Sequence, residues 1–212
     1  MAWRSEKPVK GTAAQRIFLS ASVPLPSRNA AYFNTADVVA IRDAVRALTL
    51  VIIEEKAELV FGGHPAISPM IRLQIAQTGQ PVGDRVVMFQ SRFFDRVFPD
   101  DNAAFERIIY TDAVDGDRQR SLVHMRETML SGFFDCGIFI GGMEGVEEEY
   151  EMFRRIQKGA PAYPVASTGA AAAILFDADI TIRSQHPELR TELSYISLMR
   201  TLVSSPPAGI TP

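Results

Sequence analysis

The chain has 212 residues, 47% of them hydrophobic and 22% charged, which is enough for one α/β domain with a full core. The net charge of −3 excludes a global basic field that would hold DNA or RNA without sequence preference. A single cysteine excludes an internal disulfide and a cysteine-cluster metal site. No apolar run is long enough to cross a bilayer, and the N-terminus lacks the apolar core of a signal peptide. We expect a cytoplasmic protein that uses no metal and no cofactor.

Short apolar strands alternate with amphipathic helices through most of the chain. This alternation predicts an α/β fold, a three-layer Rossmann-like domain with a mostly parallel sheet, over residues 16–204. Residues 1–15 are polar and are predicted to form a flexible leader. Residues 205–212 are predicted to form a flexible tail.

The first predicted strand, residues 17–23, carries small side chains near its end. Ser20 and Ala21 leave room for a ligand at the carboxyl edge of the sheet, or they simply pack under a helix. Arg28 in the next loop is either an anion contact or a solvated charge. Thr35 is the predicted N-cap of the following helix.

A glycine pair follows the second predicted strand, residues 58–61. Gly62 and Gly63 precede His64, and then a helix begins near Pro69 and stops at Gly79. His64 either hydrogen-bonds a ligand or caps local backbone groups. No nearby residues have metal-ligand spacing.

The third predicted strand, residues 85–91, ends in a loop rich in aromatic residues. Phe93, Phe94 and Phe98 can stack on a base, although such clusters also form small local cores or subunit contacts. After a fourth strand over residues 107–112, a helix carries Arg126 beside its apolar stripe. Arg126 either extends to solvent or reaches the next glycine turn.

Residues 138–150 predict a buried strand, a glycine turn and a helix N-terminus, in that order. Glycines let the backbone approach an oxyanion, and the first helical turn has unpaired N–H groups. Glutamates in this helix repel an anion, so a cation must come from another element, and Arg126 is the candidate. Plain chain reversal is the alternative. The predicted contacts from this turn are Gly141, Gly142, Met143, Glu144, Gly145 and Val146.

The last predicted strand, residues 161–167, leads into Ser167 and Thr168, which either donate to a ligand or begin an ordinary capped helix. Cys136 is predicted to be a buried, inert thiol. A final amphipathic helix is predicted over residues 190–203, with Leu193 and Ile196 on its apolar face.

The glycine junctions and the arginine helix together resemble the SLOG superfamily of Rossmann-like domains. The segments that carry the resemblance are F-G-G-H-P-A-I, S-L-V-H-M-R, F-I-G-G-M-E-G-V-E-E-E and P-V-A-S-T-G-A-A, from residue 17 to about residue 176. Their wording is most similar to the bacterial SLOG cluster 3 group. The superfamily includes LOG phosphoribohydrolases and DNA-processing proteins of the DprA kind.

By resemblance to LOG enzymes, Arg126 and Glu149 are the catalytic candidates for cleaving an N-glycosidic bond. The chain departs from the LOG pattern at three positions: Ile140 replaces a proline, Val146 a phosphate-binding threonine, and Glu127 a lysine. These departures favour a nucleotide-ligand-binding SLOG domain, a sensor or processor of a nucleotide-derived signal in bacterial conflict or antiphage systems. A metal-independent N-glycoside hydrolase is the alternative. DNA binding of the DprA kind is disfavoured by charge.

The resemblance also implies partners. We expect a nucleotide or nucleotide-derived small molecule as ligand, a homodimer, and a separate effector protein that responds to the sensor. No membrane is expected as a partner.

Overall fold

The structure is a computed structural model that describes residues 14–27, 29–79, 85–98 and 105–204. Arg28, most of the predicted leader and the whole predicted tail lie outside these residues. No helix in the described part of the chain is long and apolar enough to cross a membrane.

Six strands form one parallel sheet, which confirms the predicted fold class. They run in the order β4-β3-β2-β1-β5-β6, and every neighbouring pair is parallel. The strands are β1 (Arg16–Ser22), β2 (Glu58–Gly62), β3 (Val86–Ser91), β4 (Arg107–Thr111), β5 (Cys136–Gly141) and β6 (Ala162–Val165). The strand order reverses direction between β1 and β5, and such a point is where open α/β sheets form their ligand crevices.

Helices cover both faces of the sheet. They are α1 (Ala30–Phe33), α2 (Val38–Glu54), α3 (Ser68–Thr78), α4 (Arg118–Leu130), α5 (Glu144–Ile156), α6 (Ala170–Ala178), α7 (Ile180–Gln185), α8 (Glu188–Thr191) and α9 (Tyr195–Ser204). Short 3₁₀ helices span Arg92–Val97 and Ala166–Thr168.

The strands alternate their apolar side chains between two cores, as fully covered parallel strands do. In β1, Ile17 and Leu19 pack into the core beneath α2 and α9, whereas Phe18 packs into the core beneath α4 and α5. The ring of Phe18 stacks on Phe153 with 5.5 Å between centroids and meets Phe139 edge-on at 5.8 Å. This aromatic cluster seats α5 on β1 and β5, next to the glycine turn.

Three local predictions are wrong: the N-cap of α2, the start of the final helix, and the residues assigned to the apolar face of that helix. The N-cap of α2 is Asp37, whose carboxylate accepts from the Ala40 N–H at 2.9 Å, because Thr35 already donates to the Ala31 carbonyl of α1 at 2.8 Å. The final helix begins at Tyr195, since α8 ends before it, and Leu193 is 69% exposed in the connection. Ile196 is likewise exposed. By contrast, Gly79 ends α3 in the left-handed conformation as predicted.

Candidate functional site

A cleft of about 350 Å³ opens at the carboxyl edge of the sheet, beside the β1–β5 switch point. The ends of β1, β2 and β3 form its floor, and α4 and the start of α5 form its walls. We call it the carboxyl-edge cleft. The predicted site residues that line it are Ser20, Ala21, Gly62, Gly63, His64, Arg126, Met143, Glu144, Gly145, Val146 and Glu149. Four separate stretches of the sequence therefore meet in one cavity.

The turn between β5 and α5 depends on two glycines with positive φ. Gly141 has φ of 56° and Gly142 has φ of 94°. A Cβ on Gly141 would lie 2.4 Å from Ile41 Cδ1, and one on Gly142 would lie 2.3 Å from Val146 Cγ2. Both glycines are buried under the turn and do not line the cleft. They allow the chain to enter α5 with Met143, which makes no side-chain cap hydrogen bond, as its N-cap.

Thr168 holds this turn in place through two hydrogen bonds of its side chain. Its fully buried hydroxyl accepts from the Gly141 N–H at 2.8 Å and donates to the Val165 carbonyl at 2.6 Å. The neighbouring Ser167 accepts a hydrogen bond from the Tyr195 hydroxyl at 3.2 Å. The structure does not bring either residue into the carboxyl-edge cleft. Thr168 positions the glycine turn instead of facing the cavity.

Arg126 reaches the glycine turn, which is the second of the two positions that the sequence left open for it. A Cβ placed on Gly145 would lie 3.1 Å from its Nη2 atom. Its Nε donates to Glu149 Oε1 at 3.1 Å, and its Nη1 donates to Glu148 Oε2. The Arg126 side chain is only 7% exposed, against 14% for Glu149 and 45% for Glu148. The cation is therefore held in place by two carboxylates of unequal exposure.

Ser20 brings a buried hydroxyl into the cleft. The residue is 1% exposed, and its Oγ has no hydrogen-bond partner among the described residues. Native proteins satisfy most buried hydroxyls, because an unpaired one costs about 1–3 kcal/mol. A ligand atom in the cleft would supply the missing partner.

His64 makes a local backbone contact. Its Nδ1 accepts from the Ala66 N–H at 3.2 Å, which is the capping alternative recognised in the sequence. Burial lowers the pKa of the imidazole below its usual value of 6.5, so the ring is neutral at physiological pH. In that state His64 still lines the cleft and keeps Nε2 available for a ligand.

Sequence reasoning missed part of the cleft. Gln90 is the penultimate residue of the apolar strand β3, and Arg118 begins α4, which carries Leu122 and Met125 into the cavity. Phe94 and Phe98 also line it. The sequence left open whether these rings stack on a base, form a small local core or make a subunit contact. A polar residue near the end of an otherwise apolar strand is the signal that could have identified Gln90.

Metal binding gains no support from the side chains. Among the described residues, no group of three or more His, Cys, Asp or Glu side chains is placed to hold a metal ion. Cys136 lies in β5, where burial raises the pKa of its thiol and keeps it protonated.

The sequence of residues 31–203 matches the SLOG cluster3 family. The chain belongs to this family. The fold of this SLOG domain is similar to the X-ray structure of TM1055, a structural genomics target, with a TM-score of 0.54 and 16% sequence identity. The similarity covers 79% of this chain and 83% of the other, and it shows that the two share a Rossmann-like fold. No curated protein shows significant sequence similarity to the chain.

The first turn of α5 carries an apolar side chain at Val146. Val146 stands where the resemblance to LOG enzymes places a phosphate-binding threonine, and it is 3% exposed against Gly142. A hydroxyl donor is thus absent from the first turn of α5. Any anion at this turn must rely on backbone N–H groups and on Arg126.

Proposed function

We propose that this SLOG domain binds a nucleotide or nucleotide-derived molecule in the carboxyl-edge cleft and acts as a sensor or processor of that signal. The observation that carries the proposal is the cleft itself, at the switch point of a parallel sheet, with a buried Ser20 hydroxyl that has no partner in the described part of the chain. Ligand sites in proteins combine such a preformed cavity with a few convergent polar groups.

The glycine turn is the end of the cleft suited to phosphate. The N-terminus of α5 supplies backbone N–H groups and the positive end of the helix dipole. Arg126 adjoins Gly145 and supplies a guanidinium fork, which pairs well with phosphate oxygens. Glu148 is the competitor for this cation, and its 45% exposure leaves it room to swing into solvent.

The competition between Glu148 and phosphate for Arg126 leads to a specific expectation. Replacing Glu148 with Gln removes a negative charge that an incoming phosphate must displace, so nucleotide affinity should rise about threefold to tenfold. Glu151→Gln removes a charge from the same helix outside the cleft and serves as the matched control. Equal effects of the two variants, or no effect of Glu148→Gln, would contradict displacement of Glu148 by phosphate.

Hydrolysis of an N-glycosidic bond is the second candidate. One observation favours it: the Glu149 carboxylate lines the cleft and is oriented by Arg126 at 3.1 Å. A fixed carboxylate beside an oxocarbenium-like ribosyl centre can stabilise positive charge or activate water. Base release abolished by Glu149→Gln would establish this chemistry.

The deciding experiment is mass spectrometry of the protein incubated with AMP, other nucleoside monophosphates, NAD, ADP-ribose and cyclic ADP-ribose. Bound and released species are both recorded. We expect at least one nucleotide to be retained, and Arg126→Ala to lose it. Arg200→Ala, which breaks a surface pair with Glu54, is the control. Retention that survives Arg126→Ala would overturn the site assignment.

A homodimer, a separate effector protein and a role in bacterial conflict or antiphage defence are part of the same proposal. In this proposal the domain passes its ligand-bound state to an effector protein. Small-angle scattering tests the dimer, and a mass equal to one 23.4 kDa chain would exclude it. Affinity capture with and without the retained nucleotide tests for an effector.

A further inference from the structure

The carboxyl-edge cleft has two ends with different chemistry. One end holds Gly145, Arg126 and Glu149 near the start of α5. The opposite end is built from the last residues of β3, the 3₁₀ helix after it, and α4. The side chains there are Gln90, Phe94, Val97, Phe98, Leu122 and Met125. This second end is mainly apolar and aromatic, with the carboxamide of Gln90 and, at the start of α4, the guanidinium of Arg118 as its polar groups.

Gln90 is buried but weakly bonded within the protein. The residue is 6% exposed, and its Nε2 donates to the thioether sulfur of Met88 at 4.0 Å. A thioether is a weak acceptor, so this contact satisfies little of the bonding capacity of the amide. A carboxamide offers two donor hydrogens and two acceptor lone pairs, and among the residues that the structure describes the Met88 sulfur is its one hydrogen-bond partner, which leaves most of this capacity for a ligand.

The backbone next to Gln90 is shaped to make room for it. Gly63 follows β2, and a Cβ there would lie 2.1 Å from Gln90 Nε2 and 2.7 Å from its Cδ. Gly63 is held close to β3 by its N–H, which donates to the Phe89 carbonyl at 2.9 Å. The glycine therefore keeps Gln90 in the position where it borders the cleft.

The aromatic wall is braced by contacts outside the cleft. Phe94 meets Phe93 edge-on, with 5.0 Å between ring centroids. Phe98 packs on Tyr110 of β4 at 5.8 Å, and Arg92 lies over the same Tyr110 ring at 4.9 Å. Phe94 and Phe98 are only half-buried, which leaves ring surface for a flat ligand group.

We infer that Gln90 is the specificity-determining residue of this cleft, and that it binds the edge of a nucleobase whose ring packs on Phe94 and Phe98. This rests on the proposed nucleotide function and assigns its second subsite. A carboxamide pairs with adjacent donor and acceptor atoms on a base edge, and aromatic side chains stack on the base plane. The sugar and phosphate then extend toward Gly145 and Arg126.

The test compares a ligand that has a base with one that lacks it. Isothermal titration calorimetry measures the affinity of the retained nucleotide and of ribose 5-phosphate for the wild type and for Gln90→Met. Methionine keeps the length of the side chain and removes the amide. Gln74→Met, which changes a half-buried glutamine outside the cleft, is the matched control.

We expect Gln90→Met to weaken nucleotide binding about tenfold or more and to leave ribose 5-phosphate binding unchanged. Phe94→Ala should show the same selectivity, and Phe33→Ala, an exposed aromatic change outside the cleft, should show no effect.

Two outcomes overturn the inference, and they are distinguishable. Nucleotide binding that is unaffected by Gln90→Met, or that falls in parallel with ribose 5-phosphate binding, removes the base subsite while the proposed function stands. Failure of every nucleotide to bind the wild type removes the proposed function together with this inference.

Discussion

Arg126 on α4 donates from Nε to Oε1 of Glu149 on α5 at 3.1 Å, and this ion pair joins two helices at the rim of the cleft. The two residues are 23 positions apart in the chain, and the segment between them carries β5 and the glycine turn, so the pair closes a loop around the candidate phosphate end. The same contact holds the only guanidinium described next to Gly145 and orients the Glu149 carboxylate toward the cavity.

Removing the cation should destabilise the domain as well as the site. Arg126→Ala leaves the Glu149 carboxylate, which is 14% exposed, without its partner, and we expect the free energy of unfolding to fall by roughly 3 kcal/mol. Urea unfolding measures the loss. Arg200→Ala breaks a pair with Glu54 in which both side chains are exposed and should change the free energy of unfolding little. Similar losses for the two variants would show that burial does not set the strength of the Arg126 pair.

Gly169 is predicted to tolerate no side chain. Its φ is +73°, and a Cβ would lie 1.9 Å from the Thr35 carbonyl oxygen, which is backbone and cannot rotate away. Gly169→Ala should lower the free energy of unfolding by at least about 2 kcal/mol. Gly159→Ala, at φ of +90° with no atom within 4 Å of the added Cβ, should lose only about 1 kcal/mol. Chemical denaturation measures the free energy of unfolding of both variants and separates the effect of the close contact from that of backbone strain alone. A loss at Gly169 no larger than that at Gly159 would refute the close contact.

The buried hydroxyl of Thr168 should be worth more than its size suggests. Thr168→Val keeps the shape but leaves the Gly141 N–H and the Val165 carbonyl without this partner, at a cost of about 1–3 kcal/mol. Thr128→Val is the control, because the Thr128 hydroxyl donates to the His124 carbonyl near solvent, where water replaces it. Thermal unfolding measures both. Equal melting temperatures for Thr168→Val and the wild type would show that the turn needs no anchor.

The stability of the domain should depend on His64 in mild acid. Burial lowers the pKa of His64 in the folded state, so the unfolded chain takes up its proton first as pH falls. The contribution of neutral His64 is complete above the unfolded value of about 6.5 and is lost as pH decreases below it. Urea unfolding at a series of pH values should show a steeper acid decline for the wild type than for His64→Gln. The exposed His124→Gln variant should follow the wild type, and parallel curves for His64→Gln would contradict the buried, neutral ring.

Much of the site was visible in the order of residues along the chain. Gly62 and Gly63 after one strand, and Gly141 and Gly142 after another, predicted two turns at the same edge of the sheet. Because all strands are parallel, these turns had to lie on one edge, and the structure brings both beside a single cleft. The approach of Arg126 to Gly145 followed from the same logic, since α4 precedes β5.

The errors occurred where local signals compete. Thr35 and Asp37 are both good N-cap residues, and the sequence does not show that α1 already uses the Thr35 hydroxyl. Ser167 and Thr168 have the chemistry of ligand donors, but the Thr168 hydroxyl is already hydrogen-bonded to Gly141 and Val165. Hydrogen-bond partners of short polar side chains depend on neighbours that are remote in sequence.

The sequence by itself determined the layered fold, because the alternation of apolar strands and amphipathic helices is a periodic, local pattern. It also determined which edge of the sheet the glycine turns share. Only the tertiary structure decided how the cleft is divided. Gln90 borders the cleft because Gly63, just after the neighbouring strand, leaves room for its side chain, and Arg126 is balanced by Glu148 and Glu149 from another helix. Such contacts join residues far apart in the chain, and their geometry is set by packing, which no local pattern encodes.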